Sequence, residues 1–193
     1  MASTENLPTI VFSTQQAWES WLHENHGEAK GLWLKLAKKE SGIQSISYAE
    51  ALDVALCYGW IDGQKASLDE QYWLQKFTPR RARSMWSQVN REKAMALIAE
   101  GRMQPTGQRQ IELAKADGRW EQAYDSQSKI NIPDDLQSEL DQHPLAKEFF
   151  ATLDSRNRYA ILYSIQTAKK AETRSARIQK FIEMLSKREK IYP

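Results

Sequence analysis

The sequence predicts an α+β protein: a small antiparallel sheet with helices forms the N-terminal half, and the C-terminal half is all-helical. Apolar and polar residues alternate around positions 31–39 and 60–77, which is typical of strands. After Ser87 apolar residues recur only every three or four positions, which is typical of helices. We therefore predict an α+β domain over residues 1–125, with a helical region over residues 126–193 packed on it.

The chain begins with a short β-prone run at residues 9–12, followed by a helix. Ser13 and Gln16 fit a capping box, in which each side chain satisfies a free backbone donor at the helix start. In residues 31–39 leucines then alternate with tryptophan, lysine and alanine. This alternation favours a strand over a helix.

A second capping box, formed by Ser47 and Glu50, begins the next helix. Gly59 is well placed as the left-handed residue that ends this helix. Two strands follow over residues 60–67 and 71–77, and they are expected to pair with each other. The prediction for this half is thus a small antiparallel sheet with two helices packed on it.

Glycines and prolines divide the C-terminal half into segments of helical length. Gly101 and Gly118 suit helix ends, and the polar residues 125–131 are the best candidate for a linker. The predicted helices cover residues 89–100 and 108–117, begin at Pro133, Pro144 and Ser155, and end with a helix over residues 172–188.

The composition predicts an ordinary soluble protein, with 27% charged and 41% hydrophobic residues. No apolar run approaches the ~18 residues that span a bilayer. The N-terminus has no basic region followed by an apolar segment, so we expect no signal peptide. A single cysteine, Cys57, excludes an internal disulfide. These features predict a cytoplasmic protein, and they leave its oligomeric state open.

Charge is distributed unevenly, although the net charge is only +2. Residues 1–70 carry ten acids against five lysines, and the chain from Arg156 onward carries ten basic residues against three glutamates. The last helix bears many of these cations. Its ordinary interpretation is a solvated face of an amphipathic helix. The functional alternative is binding to nucleic acid or to an anionic membrane surface.

Several kinds of chemistry lack support in the sequence. The three histidines, His23, His26 and His143, have no clustered third metal ligand, so we expect no metal. Cys57 lies near the C-terminal end of a predicted helix, where the helix dipole disfavours a thiolate. No nucleophile elbow, phosphate loop or dinucleotide fingerprint is present, so we expect no cofactor.

The densest combination of aromatic and charged residues lies between Cys57 and Ser87. Three arginines outnumber the one nearby acid, and they precede a helix start whose free backbone donors favour an anion. We therefore predict a site for a phosphate or carboxylate. The candidate ligand-binding residues are Trp60, Asp62, Arg80, Arg81, Arg83, Ser84, Trp86 and Asn90.

Two other interpretations of this stretch stay open. If Trp60 faces the core, strand alternation draws Asp62 inward, and an arginine then pairs with it to fix the sheet to the following helix. Alternatively, Asp62 is the general base of an enzyme in a cleft lined by tryptophan and arginine.

The sequence resembles the family of bacteriocin-protection, YdeI- or OmpD-associated proteins. The segments that carry the resemblance cover nearly the whole chain: Ala51–Leu52, Cys57–Gly63, Phe77–Arg81, Ser84–Ser87 with Asn90, Leu97–Met103, Ala114–Trp120, Ala168–Arg174 and Arg177–Ile178. On this resemblance, residues 1–125 are the YdeI/OmpD-associated-like domain.

The resemblance implies a role linked to envelope stress and antimicrobial-peptide resistance, and it brings no catalytic residues with it. We predict a non-enzymatic module that recognises an anion or small ligand through Arg80, Arg81 and Arg83. Nucleic acid bound by the C-terminal basic helix is the less favoured partner.

Overall fold

A computed structural model of the chain describes residues 7–125 and 129–193. Within this part the chain forms four strands and eight α-helices. The strands are β1 (Thr9–Ile10), β2 (Leu32–Ala37), β3 (Trp60–Ser67) and β4 (Tyr72–Pro79). The helices are α1 (Gln15–Asn25), α2 (Tyr48–Cys57), α3 (Gln88–Ala99), α4 (Pro105–Ala116), α5 (Asp134–Gln142), α6 (Pro144–Thr152), α7 (Ser155–Gln166) and α8 (Ala171–Ser186).

The chain divides into two compact units. The first comprises the described residues up to Met85 together with Asn90–Glu121. The second comprises Trp86–Val89 and the described residues of Gln122–Pro193. The linker predicted over residues 125–131 includes positions 126–128, which lie outside the described residues.

The sheet of the first unit is mixed, with strand order β1-β2-β4-β3. β2 pairs antiparallel with β4, and β4 pairs antiparallel with β3, as the sequence predicts. β1 pairs parallel with β2, which the purely antiparallel prediction misses. The reason is the connection: α1 lies between β1 and β2, and a helical crossover brings the second strand back in the same direction.

The core of the first unit lies on one face of this sheet. Leu32, Leu34 and Leu36 of β2 are at most 1% exposed, whereas the residues between them are half-buried. Trp18 of α1 and Phe77 of β4 are fully buried and pack ring against ring, with centroids 5.8 Å apart. The alternating pattern in the sequence therefore reports a sheet with one covered face.

Helix starts agree with the capping chemistry at most predicted positions. Ser47 and Glu50 form the predicted capping box. α1 differs slightly, because Thr14 and not Ser13 is its N-cap, with its hydroxyl accepting from the backbone of Ala17 at 3.2 Å. α4 begins at Pro105, three positions before the predicted start, because proline suits the first helical position.

The second unit is all-helical, as predicted. Helices α5 to α8 enclose an apolar core of their own, in which Leu136, Ile161 and Leu185 are fully buried. Arg174 of α8 joins three helices: its guanidinium donates to the Asp135 carboxylate of α5 and to the Ile165 carbonyl of α7.

Candidate functional site

The arginines after β4 are not one cluster. Arg80 is 6% exposed; its backbone N–H donates to the Gly59 carbonyl and its Nη1 to the Met85 carbonyl. Arg81 and Arg83 are exposed and lie on a turn. Ser84 closes this turn, because its hydroxyl accepts from the backbone of Arg81 and its N–H donates to the Arg81 carbonyl. The side chain of Arg80 is thus part of the folded unit, whereas those of Arg81 and Arg83 extend into solvent.

Arg80 lines a cleft of about 460 Å³ in the first unit. The end of α1, the turn between α2 and β3, the end of β4 and one face of α4 form its walls. The chemistry of its lining comes from His26, Tyr58, Trp60, Arg80, Thr106 and Arg109. All of the lining residues are neutral or basic, and no carboxylate is among them.

Two glycines let α4 lie close enough to form this cleft. A Cβ atom on Gly107 would lie 2.2 Å from the Cys57 carbonyl oxygen, so only glycine allows the contact with the end of α2. Gly59 has a φ of +75° and faces the backbone of Thr106. Thr106, Arg109, Gln110 and Leu113 then recur at helical spacing and present one face of α4 to the cleft.

Within the described part of the chain, the Thr106 hydroxyl and the Arg109 guanidinium of α4 are unpaired at the cleft. The Thr106 hydroxyl oxygen is buried and has no hydrogen-bond partner among the described residues. The guanidinium of Arg109 is exposed, and no hydrogen bond or ion pair within the described ranges 7–125 and 129–193 engages it. A buried hydroxyl without a partner is energetically costly, so a bound polar molecule would relieve it.

His26 and Tyr58 add hydrogen-bonding groups. The His26 Nδ1 lies 2.9 Å from the Leu22 carbonyl oxygen, so Nδ1 carries the hydrogen and Nε2 is left for another partner. Burial raises the pKa of Tyr58, and nearby Glu19 adds to the shift. The Tyr58 hydroxyl therefore stays protonated near neutral pH and can donate.

Trp60 forms one wall of the cleft from inside the core. It is 1% exposed, and its Nε1 donates to the His26 carbonyl at 3.2 Å. Its ring meets Trp18 and Trp21 edge to face. The structure thus brings two of the predicted residues, Trp60 and Arg80, into one cleft.

Asp62 has a partner that none of the open interpretations of the sequence named. Its carboxylate accepts a hydrogen bond from the Tyr48 hydroxyl at 2.8 Å, whereas the ion-pair interpretation named an arginine. Asp62 pairs with Phe77 in the sheet, so strand alternation does turn it toward the helix-covered face. Tyr48 is the first residue of α2, and its side chain contacts Asp62 on the helix-covered face of the sheet. The alternation of residues within a strand does not predict such a contact with a helix.

The remaining predicted residues take structural positions. The Ser84 carbonyl accepts from Arg119 at 2.7 Å. Asn90 is 9% exposed within α3. Trp86 belongs to the second unit, where its carbonyl accepts from the backbone of Tyr124.

Sequence reasoning missed five polar cleft residues: His26, Tyr58, Thr106, Arg109 and Gln110. The helical spacing of Thr106 and Arg109 was a usable signal for a shared face. No local pattern in the sequence indicates that Thr106 and Arg109 lie near His26, which is about 80 positions away.

A metal site has no support within the described part of the chain. No group of three or more histidine, cysteine, aspartate or glutamate residues there is placed to hold a metal ion. Cys57 is 2% exposed, and burial raises its pKa to about 11, so it is a core residue as predicted. Among the described helices none is long and apolar enough to cross a membrane.

The fold places the chain among α+β proteins that carry a separate helical unit. Residues 10–110 match the family described as Domain of unknown function (DUF8412), and the chain belongs to this family. Residues 129–188 match the family described as Bacteriocin-protection, YdeI or OmpD-Associated, which confirms the resemblance predicted from the sequence. The chain matched no curated protein and no solved structure.

Proposed function

We propose that the first unit is a non-enzymatic recognition module that binds a small anion, carried by a phosphate or carboxylate group, in the cleft between α4 and the end of β4. One observation carries this proposal. Arg80 and Arg109 line a cleft that contains no carboxylate and that holds a buried hydroxyl, Thr106 Oγ1, without a partner in the described chain.

The two arginines have complementary roles. Arg80 is almost fully buried, so little conformational entropy remains to be lost when it contacts a ligand. Arg109 is exposed on α4 at the edge of the cleft, where its guanidinium can contact the ligand. Hydrogen bonds to charged groups contribute about 1.5–3 kcal/mol each when they are shielded from water, and the exposed Arg109 contributes at the lower end.

A ligand screen with matched variants tests the proposal. Inorganic phosphate, nucleotides, sugar phosphates and small carboxylates are compared by thermal shift, and each hit is measured by calorimetry. We expect at least one of these anions to bind, and Arg109→Ala to weaken that binding about tenfold, the loss of one charged hydrogen bond.

The control is Arg81→Ala, which removes an exposed arginine outside the cleft lining. Equal affinity for wild type and Arg81→Ala is expected. If Arg81→Ala and Arg83→Ala weaken binding while Arg109→Ala does not, the ligand is held by the turn and the cleft proposal fails. If none of these anions binds, anion recognition itself fails.

No specific observation favours an enzyme that uses Asp62. The Tyr48 hydroxyl engages that carboxylate, and Asp62 is not part of the cleft lining. A link to envelope or antimicrobial-peptide stress belongs to our proposal and is supported by the description of the family matched by residues 129–188. The cytoplasmic location stays a prediction.

A further inference from the structure

The face of the sheet opposite the core carries aromatic rings and lysines in register. Trp33 of β2 lies opposite Lys76 of β4, Lys35 lies opposite Leu74, and Ala37 lies opposite Tyr72. Successive residues of a strand point to opposite faces, so all of these side chains share the face that Leu32, Leu34 and Leu36 do not use. We call Trp33, Lys35, Tyr72, Leu74 and Lys76 the open face.

This face is accessible to solvent in the folded chain. Each of its five residues is half-buried and none is buried. On the other side of the same strands, Leu34, Leu36 and Phe77 are at most 1% exposed. Among the described residues, the helices therefore pack on the side of the sheet that carries Leu34, Leu36 and Phe77.

The open face has positive charge and no negative charge. The Lys35 Nζ lies 3.9 Å from the centre of the Tyr72 ring, and the Lys76 Nζ lies 5.9 Å from that of Trp33. The one carboxylate within the four strands, Asp62, lies on the core side, where it pairs with Phe77. An anionic partner would meet no repulsion from this sheet.

Further lysines lie at one end of the sheet. Lys38, Lys39 and Lys65 line a cleft of about 360 Å³ together with Trp73 and one carboxylate, that of Glu40. The Lys65 Nζ lies 4.3 Å from the centre of the Trp73 ring, and the Lys38 Nζ donates to a backbone carbonyl, that of Asp69. Trp73 pairs with Leu36, so this cleft lies on the other side of the sheet and is not part of the open face.

We propose that the open face binds single-stranded nucleic acid. Unpaired bases stack on exposed aromatic rings, and the phosphates between them are met by lysines, which is how sheet surfaces hold single strands. A lysine over an exposed ring is held more weakly than a stacked base. A base can therefore displace Lys35 from Tyr72 or Lys76 from Trp33, and each displaced ammonium can contact a phosphate.

The test uses the full chain and fluorescein-labelled oligothymidylate and oligouridylate, with affinity measured by fluorescence anisotropy at several salt concentrations. We expect Trp33→Ala to weaken binding about tenfold, the loss of one stacked base. Trp33→Phe keeps a ring and should retain most of the affinity. Lys35→Gln and Lys76→Gln should each reduce the salt dependence by about 0.7 in the slope of log affinity against log salt.

One control separates this proposal from its main rival. Lys180→Gln with Lys187→Gln tests the basic C-terminal helix α8 and should bind as wild type. Circular dichroism of each variant establishes that its fold is retained. Loss of binding in the α8 variant but not in the open-face variants would overturn the proposal. The proposal would also be overturned if neither oligonucleotide bound at low salt. The same conclusion would follow if polyglutamate bound with equal affinity and Trp33→Ala did not weaken that binding.

Discussion

At the scale of single residues, the arginines of the first unit differ in what neutralises them. Arg119 is 3% exposed, and its Nε donates to both oxygens of Asp117 while its Nη1 donates to the Ser84 carbonyl. Arg109 has no such partners within the described residues. The first arrangement is typical of a structural residue, and the second leaves a cation available to a ligand.

Replacing Arg119 should destabilise the first unit. Arg119→Met keeps the apolar stem but leaves the Ser84 carbonyl without its donor, so we expect a loss of about 1–3 kcal/mol in the free energy of unfolding. Arg102→Met is the matched control. Arg102 pairs at 3.3 Å with Glu100 at the surface, and its removal should change stability by less than about 0.5 kcal/mol. Urea denaturation measures both; equal losses would contradict the structural role of Arg119.

What sequence could predict at this scale depended on local chemistry. The burial of Cys57 and the left-handed conformation of Gly59 followed from their positions near the end of α2. The partner of Asp62 did not, because Tyr48 is fourteen positions away on another element. Side-chain pairing between elements depends on tertiary distances that no strand or helix period encodes.

At the scale of elements, the packing of α4 on the end of α2 determines the cleft. Gly107 allows this contact, and a methyl group there would collide with the Cys57 and Leu56 carbonyls at 2.2 and 2.7 Å. Both collisions involve backbone, which cannot rotate away as a side chain does. α4 would have to move, and Thr106 and Arg109 would move with it.

Gly107→Ala should therefore destabilise the protein despite alanine's higher helix propensity. Overpacking costs about 1–3 kcal/mol, which exceeds the ~1 kcal/mol that alanine gains over glycine within a helix. Gly27→Ala is the control, because a Cβ there meets nothing within 4 Å. Thermal denaturation of the two variants makes the comparison, and a stabilised Gly107→Ala would show that the helix contact is looser than described.

In the second unit, the ion pair of Asp135 and Arg174 makes stability depend on pH. The hydrogen bond from Arg174 lowers the pKa of Asp135 below its ordinary value of 3.8. A carboxylate whose pKa is lower in the folded state than in the unfolded state stabilises the protein at pH values above the unfolded-state pKa. This contribution disappears as the pH falls through the folded-state pKa. The pair is 29% and 45% exposed, so screening limits it to about 1 kcal/mol.

Asp135→Asn should thus lower the free energy of unfolding at pH 6, and the difference from wild type should shrink as the pH falls through the lowered pKa of Asp135. Chemical denaturation across this range measures the effect. Asp134→Asn, one position earlier in the first turn of α5, changes the same helix-end charge without touching Arg174. The same pH profile for both variants would assign the effect to the helix end and not to the ion pair.

At the scale of the whole molecule, the fold class was predictable and the composition of the site only partly so. Periods of two and of three to four residues, with caps and glycine stops, specified the strands and most helix ends. The parallel pairing of β1 was missed because this strand has only two residues, too few to show an alternation of apolar and polar side chains. We predicted an anion site around Arg80, Arg81 and Arg83, whereas the proposed cleft includes only Arg80 of these three and draws on α1 and α4, which are distant in sequence.

Each unit also matches a family of its own. Residues 10–110 lie within the first unit apart from positions 86–89, and residues 129–188 lie within the second. We propose small-anion recognition for the unit that contains the first of these matches. The most direct test of this proposal lies inside the cleft.

The most direct measurement is an NMR titration of the three histidines, His23, His26 and His143, with inorganic phosphate at constant pH and ionic strength. Single His→Gln variants assign the three ring signals. Because His26 alone among them lines the cleft, its signal should shift saturably while that of His143 stays in place, and Arg109→Ala should weaken the response. An unmoved His26 signal, or an equal drift of all three, would contradict an anion site in this cleft.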